Sequence, residues 1–380
     1  MKILFVLKTN VGAGWAFREA EWIINNLNGY EFVVVMPNDY EGYAANYKAL
    51  GCTVIPMDMS LPVRRPWKFF SLRKRIKEIV SQVKPDIIHS HFVTTTWMLR
   101  LSLWSDKTQR IFQVPGPLHL ESPLFRFVDK WTIRKNDYLV GACEWTFETY
   151  KKMRIPQERI FLNYYGGKPK ETDNADGRLR KEYHLSQDTP IVGMVSYFYK
   201  PKYYLLQFTG LKGHEDFIDA MAIVRKKHPN AKGVVVGAAW GNAVKYENRV
   251  KRYAEKKCPD GIIFTGFRID VPVIYPEFNV AVHPSHSENV GGAGESLGLA
   301  VPTVSTNVGG FPDIVVNGVT GWTVAKKSPK QLAEKIIWMI ENQEEAHQMA
   351  LKGQEMCREK FNIDVTGKHM AEIYEIVARG

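Results

Sequence analysis

The sequence contains no run of 18 apolar residues, so no transmembrane helix is expected. Cysteine is scarce: Cys52, Cys143, Cys258 and Cys357 are scattered, with neither CxxC pairing nor a disulfide framework. A reducing cytosol is the simplest compartment for such a chain. Short-period repeats and low-complexity tracts are also lacking. The opening MKILFVLKTN has a short apolar run that ends at Lys8 and Asn10, without the longer apolar core and small-residue cleavage site of a signal peptide. It reads as a first buried strand.

What is present indicates a large folded protein. At 380 residues, with 45% apolar and 12% aromatic side chains, the chain suits two α/β domains with substantial cores. The net charge of +11 is unevenly placed. Residues 1–170 carry 25 Lys+Arg against 15 Asp+Glu, whereas residues 171–380 carry 26 against 25. Much of the excess lies in Arg64–Lys77 (RRPWKFFSLRKRIK), where aromatics and cations interleave. Such a surface suits anionic lipid headgroups. A helix-period pattern (Phe69, Leu72, Ile76, Ile79, Val80) equally describes an ordinary helix packed on a sheet. The two readings are compatible, since one face can pack while another meets a membrane. No nucleic-acid-binding module accompanies the patch, and no nucleic-acid partner is expected.

Apolar runs alternate with helical patterns, which predicts parallel strands with crossover helices. Strands are expected at 3–7, 31–36, 53–56, 86–90, 110–114, 137–141 and 160–163. A polar linker candidate follows at 166–188, and the rhythm restarts at 191–196, 231–237, 261–265, 280–283 and 303–305. Residues 329–380 read as almost entirely helical. The expected fold class is α/β: two Rossmann-like, doubly wound domains facing a cleft, 1–168 and 169–363, with a terminal helix at 364–380 returning to the first.

The chemistry concentrates between Pro284 and Pro302, in PSHSENVGGAGESLGLAVP. Glu288 follows a strand-like NVAVHPS, Glu295 lies in a short helical segment, and glycines stand between them. This places glycine-rich backbone and two carboxylates at the carboxyl edge of a parallel sheet, where α/β proteins bind ligands. Bare amides at a helix N-terminus suit phosphate, while carboxylates suit hydroxyl donors. Phosphate beside polyhydroxyl describes a sugar nucleotide. Other features fall in order around this segment: Lys212-Gly213 before a helix, Gly266-Phe267-Arg268 after a strand, then NVGGFPD (307–313) and NGVTGW (317–322).

This succession resembles the family 4 retaining glycosyltransferases of GT-B fold, strongly over residues 212–322 and more loosely before Gly166. The resemblance implies a sugar nucleotide as donor, a UDP-sugar first and a GDP-sugar next, and a saccharide or lipid-linked glycan as acceptor. It implies that Glu295 holds the ribose hydroxyls and Glu288 the sugar hydroxyls, with amides from Gly291 and Gly292 and a neutralising charge from Lys212. It also implies retention of anomeric configuration by front-face attack, with the departing phosphate oxygen taking the acceptor's proton. Six residues separate Glu288 from Glu295, where the family usually has seven. The family's usual diphosphate-binding arginine is replaced by Tyr197, and an insertion-like segment, 198–209, precedes Lys212. Lys200, Lys202 or Arg268 are the candidates for the missing cation.

In the first half, Gly12 and Gly14 lie in a strand-to-helix turn. The third glycine of a dinucleotide fingerprint is absent, because Phe17 stands there. By the same resemblance these glycines approach the donor diphosphate or acceptor, and a plain tight turn is the equal alternative. The resemblance also makes His119, in the loop QVPGPLHLE after another strand, the first catalytic candidate, with Glu288 the second. Glu121 is expected to orient His119 or to touch acceptor. His89 and His91 are set aside as a metal pair on the expectation that they face apart. No DxD motif occurs, so no divalent metal or other cofactor is expected. A cytoplasmic chain, peripheral at the inner face of a membrane, fits these readings. Rival readings are a sugar-nucleotide epimerase, an NAD-dependent oxidoreductase disfavoured by Phe17, and a non-catalytic sugar-nucleotide-binding protein.

Overall fold

The computed structural model describes residues 1–167, 176–202 and 207–380. The chain divides into two compact units, residues 1–168 with 360–380, and residues 169–359.

The first unit is built on a parallel sheet of β1 (Lys2–Val6), β2 (Glu31–Met36), β3 (Thr53–Pro56), β4 (Ile87–Ser90), β5 (Gln109–Val114), β6 (Asp137–Gly141) and β7 (Ile160–Leu162). Their order, among the described residues, is β3-β2-β1-β4-β5-β6-β7. The strands are Val/Ile-rich runs because helices cover both faces, so neither face can be polar. Leu4, Val6, Val33 and Val35 pack beneath the helix Phe69–Val83 through Ile76, Ile79 and Val80. Ile3, Phe5 and Val34 pack on the opposite side with Ala16, Ile23 and Tyr374. The winding reverses between β1 and β4, and the turns after those two strands therefore adjoin at one edge.

The second unit repeats the plan with β8 (Ile191–Val195), β9 (Lys232–Val236), β10 (Ile262–Gly266), β11 (Val280–His283), β12 (Thr303–Thr306) and β13 (Trp322–Val324), in the order β10-β9-β8-β11-β12-β13. Its reversal lies between β8 and β11, which brings the loops carrying Lys212 and Glu288 to the same edge. The sequence pattern missed β13. Three residues are too few to show alternation, and Trp322 is fixed instead by the Trp338 ring and by Lys335, whose ammonium lies 3.6 Å from the indole centroid.

Part of the linker candidate, residues 168–175, lies outside the described residues, as do residues 203–206 of the insertion-like segment. Gly166 and Gly167 belong to the first unit, and the other described residues of both segments are built into the second. Arg178–Glu182 is a short helix with Leu179 fully buried, its first amides bonded to Glu277 at 2.9 and 3.0 Å. Phe198 is fully buried and stacks on His214, ring centroids 4.1 Å apart.

Three helices close the chain, Pro329–Glu341, Gln343–Lys360 and Ile363–Arg379. The last belongs to the first unit. Asn362 caps it by accepting from the Asp364 amide at 2.8 Å, and Asp364 accepts from the Trp22 indole at 2.6 Å. Its apolar side buries Met370, Ile373, Tyr374 and Val377 against the first sheet. Among the described residues, no helix is long and apolar enough to cross a membrane.

Candidate functional site

β11 ends at His283, and the chain leaves the sheet edge through Pro284–Val290 before the helix Gly291–Gly298. The loop before the helix His214–Lys227 is tied to this exit. The His286 amide donates to the Leu211 carbonyl at 2.7 Å, and the His286 ring meets Asp216 at 2.6 Å. Gly213 adopts φ +74°, and any side chain there would collide with the Pro284 carbonyl. Lys212 is thereby held beside Glu288, and its ammonium donates to Oε2 of that carboxylate. Glu288 also accepts from the Asn289 amide at 3.2 Å, with Ser285 Oγ at 3.5 Å. Both side chains keep a fifth of their surface open, 22% for Lys212 and 19% for Glu288.

The electrostatics keep this lysine charged. Burial alone would depress its pKa, but the Glu288 carboxylate, its hydrogen bond, Tyr199 and Glu295 together raise it above the ordinary value. Glu295, half-buried on the following helix, is therefore part of the same field. His283, beneath that helix, is driven down to about 3 by burial and by Lys212, so it is neutral and packs as a hydrogen-bonding spacer against Ser296 Oγ at 2.9 Å. Gly292 lies against that ring, where a Cβ would come within 2.9 Å of Nδ1. Gly291 faces open space. The first amides of this helix have no intrahelical acceptor and point outward at its positive end. A cation, a carboxylate and free amides thus share one sheet edge.

Beside them lies an aromatic surface that the sequence reading did not single out. Tyr197 sits 5.0 Å from Trp240 and 6.4 Å from Phe267 between ring centroids, and the Lys212 ammonium lies 5.7 Å from the Tyr199 ring. Trp240 and Phe267 remain 44% and 61% exposed. Its signal in the sequence is the aromatic density of SYFYKPKYY. Of the candidates for the missing cation, Lys200 is exposed and Lys202 is half-buried. Arg268 is already engaged, with Asp270 at 2.8 Å through two nitrogens and Glu182 at 2.7 Å. Those two carboxylates neutralise it and raise its pKa, which gives it a bracing role in the second unit.

In the first unit, Gly12 has φ +74° in the turn between β1 and the helix Gly14–Asn26. The Tyr43 hydroxyl occupies the space a side chain at Gly14 would need. Both glycines are required by this turn. His119 and Glu121 lie on a single helical turn, Leu118–Glu121, after β5. The His119 ring is 5% exposed and turned inward, 3.3 Å from the Tyr150 hydroxyl and 3.6 Å from Asp129. Asp129 is fully buried and accepts from Arg100 at 2.7 Å, Tyr150 at 2.9 Å and Trp97 at 3.1 Å. Burial would raise its pKa, but Arg100, His119 and the Trp97 indole hold it well below the usual carboxylate range. His119 in this geometry is a member of a buried network.

His89 and His91 correct the expectation that they face apart. Alternate residues of a strand share a face, and the two rings lie 4.3 Å apart, both fully buried. His89 bonds the Tyr374 hydroxyl at 2.6 Å and His91 the Tyr165 hydroxyl at 3.1 Å. Burial lowers both pKa values, that of His89 to about 3. Among the described residues, no group of three His, Cys, Asp or Glu is placed to hold a metal ion.

Comparison with known proteins places this arrangement. A family model described as "Glycosyl transferases group 1" matches residues 180–356, and one described as "Glycosyltransferase Family 4" matches residues 26–166. The chain belongs to the family 4 glycosyltransferases. Within that family it resembles the capsular polysaccharide biosynthesis glycosyltransferase CapM of Staphylococcus aureus, 28% identical over 52% of this chain and 50% of the relative. It also resembles the lipopolysaccharide core biosynthesis mannosyltransferase LpsB of Rhizobium meliloti, 26% identical over 44% of this chain and 49% of the relative. The matches thus span about half the length of these curated relatives. Among solved structures, Anabaena HepE in complex with UDP has a TM-score of 0.79 at 17% identity, covering 99% of this chain and 100% of that one. Sucrose-phosphate synthase of Thermosynechococcus elongatus scores 0.78 at 18% identity, over 99% and 98%. These two likenesses establish the GT-B fold.

Proposed function

We propose that the protein transfers a sugar from a nucleotide diphosphate sugar to an acceptor hydroxyl, with retained anomeric configuration, in the assembly of a glycan, polysaccharide or glycolipid. The observation that carries this reading is the half-open Lys212–Glu288 pair beside the amide-rich start of the helix at Gly291. In the resting protein the two charges satisfy each other. A diphosphate would draw the Lys212 ammonium to itself and leave the Glu288 carboxylate to accept hydrogen bonds from sugar hydroxyls. Amides of Gly291 and Gly292 would add donors, and Glu295 would hold the ribose. Charge grows on the nucleoside diphosphate as the glycosidic bond breaks, and donors fixed in place before the reaction lower that barrier.

The donor would be a UDP-sugar ahead of a GDP-sugar. Support comes from the relatives' structures, since HepE is described in complex with UDP and with UDP-glucose, and from the exposed aromatic faces of Trp240 and Phe267, which suit a planar base. Without metal ligands in the proposed chemistry, turnover should persist in EDTA. The acceptor would be a saccharide or lipid-linked glycan, and the cationic first unit would bring a cytoplasmic enzyme to an anionic inner membrane face. A panel of UDP-, GDP-, ADP- and dTDP-sugars titrated by calorimetry tests the donor reading. UDP-sugar binding should weaken about 10- to 100-fold in Lys212→Ala, given the worth of a charge-assisted contact to phosphate. Equal binding by Lys212→Ala and the parent protein would refute the site.

A further inference from the structure

One helix of the first unit turns an apolar stripe outward and polar side chains inward. Pro123–Thr132 has the sequence PLFRFVDKWT, and its buried residues are the polar Asp129 and Thr132. Three of its large apolar residues, Leu124, Phe127 and Trp131, are 66%, 66% and 57% exposed, while Phe125 and Val128 are half-buried, Phe125 against the Trp97 ring. Their i, i+3, i+7 spacing puts them on one stripe, which a surface helix normally turns toward the core. The cause of the inversion is the buried network. Asp129 must face inward to meet Arg100, Trp97 and Tyr150, and Thr132 Oγ1 stands 3.3 Å from Arg100. Helical geometry then sends Phe127, two positions away, to the opposite side.

The charges on this helix select what covers the stripe. Asp129 is spent inside, so the helix presents only Arg126 and Lys130 beside the apolar residues. Arg134 follows, its guanidinium over the Trp104 ring, and Trp104 in turn lies 5.6 Å from Trp131. Aromatics flanked by cations match the boundary between anionic headgroups and acyl chains. A second copy of the chain fits poorly, because an isologous contact through this stripe would crowd the Arg126 and Lys130 cations of both copies into one interface.

We propose that the stripe Leu124, Phe127 and Trp131 is an insertion face that docks the first unit on an anionic lipid bilayer. The proposal rests on the membrane-surface reading above but names a different element from the basic stretch 64–77, whose Trp67 and Phe70 are also exposed. The helix Val93–Ser102 packs against both Phe69–Val83 and Pro123–Thr132, so the two elements belong to one helical layer. The basic stretch would supply attraction at a distance and the inverted helix the apolar insertion.

The test is co-sedimentation of the full chain with vesicles of phosphatidylcholine alone or with 30% phosphatidylglycerol. The parent protein is expected to bind the anionic vesicles and leave the neutral ones. Phe127→Ser/Trp131→Ser should bind about tenfold or more weakly, from the apolar area lost, with an unchanged melting temperature because both side chains are exposed. Arg126→Glu/Lys130→Glu, which keeps the apolar residues, should also lose binding. Parent-level binding by both variants overturns the inference. If only Trp67→Ser/Phe70→Ser loses binding, the membrane reading stands and this helix is not its carrier. If the parent ignores anionic vesicles, both fail. A parent dimer in sedimentation velocity that becomes monomeric in Phe127→Ser/Trp131→Ser would assign the face to self-association instead.

Discussion

The two units each contain a cation, a carboxylate and a histidine, put to opposite uses. In the first, Arg100, Asp129 and His119 are almost fully buried, and Asp129 accepts from Arg100, Trp97 and Tyr150. In the second, Lys212 and Glu288 are partly open beside helix amides with no intrahelical partner, while His283 supports them from below. An ion pair sealed in the interior has nothing to offer a ligand, and losing one member leaves a buried charge poorly compensated. A half-open pair can exchange partners when an anion and a polyol arrive together. The signs of charge are the same in both places; burial distinguishes them.

The largest expected contrast lies between Glu288→Ala and Asp129→Ala. Glu288→Ala should reduce sugar transfer by about 10³-fold or more, if its contact strengthens in the transition state as proposed, while the urea midpoint barely moves. Asp129→Ala should cost about 3–5 kcal/mol of unfolding free energy, because buried Arg100 loses its nearest carboxylate and keeps only Asp137, at 3.6 Å. Transfer per folded molecule should fall little. Equal destabilisation by the two substitutions would erase the distinction between the clusters.

His119→Ala sharpens the same comparison at a smaller scale. As a network member it should cost about 1–3 kcal/mol, the usual loss for a buried hydrogen-bonding group, and leave kcat within a few-fold. A hundredfold fall in kcat at unchanged stability would instead make His119 a catalytic residue, one that must swing away from Asp129 to act.

Much of the architecture was legible because parallel strands covered on both faces announce themselves as short Val/Ile runs, as in Glu31–Met36 or Val280–His283. β13 was not legible, since a three-residue edge strand is fixed by neighbours that the local pattern does not contain. The Lys212–Glu288 pairing was readable as two motifs but not as a contact: 76 positions separate them, and only the reversal between β8 and β11 makes them neighbours. The inward turn of His119 depends on Asp129, Arg100 and Tyr150, which carry no motif. The same holds for the inverted helix, where a good amphipathic pattern points away from the core because one buried aspartate outweighs three apolar side chains.

The first unit also holds a buried carboxylate that pairs with no cation among the described residues. Glu19 is 1% exposed, with Oε2 accepting from Gln113 at 3.3 Å. Burial, only partly offset by that bond, lifts its pKa to about 8 from an ordinary 4.5. Between those values the folded chain holds a proton that the unfolded chain releases, so stability falls as pH rises through the window. His89 and His91 of the same unit act with the opposite sign. Their folded pKa values lie below the ordinary 6.5, so their contribution grows as pH rises toward 6.5 and is constant above it. The Glu19 slope should therefore appear unmasked between about pH 6.5 and 8. Glu19→Gln, which keeps the shape and removes the titration, should flatten the melting temperature over that interval. The variant should be the more stable form at pH 8, and the difference should shrink toward pH 5. An unchanged slope in Glu19→Gln would mean that Glu19 is ionised in the fold, and that the first unit harbours an uncompensated buried charge after all.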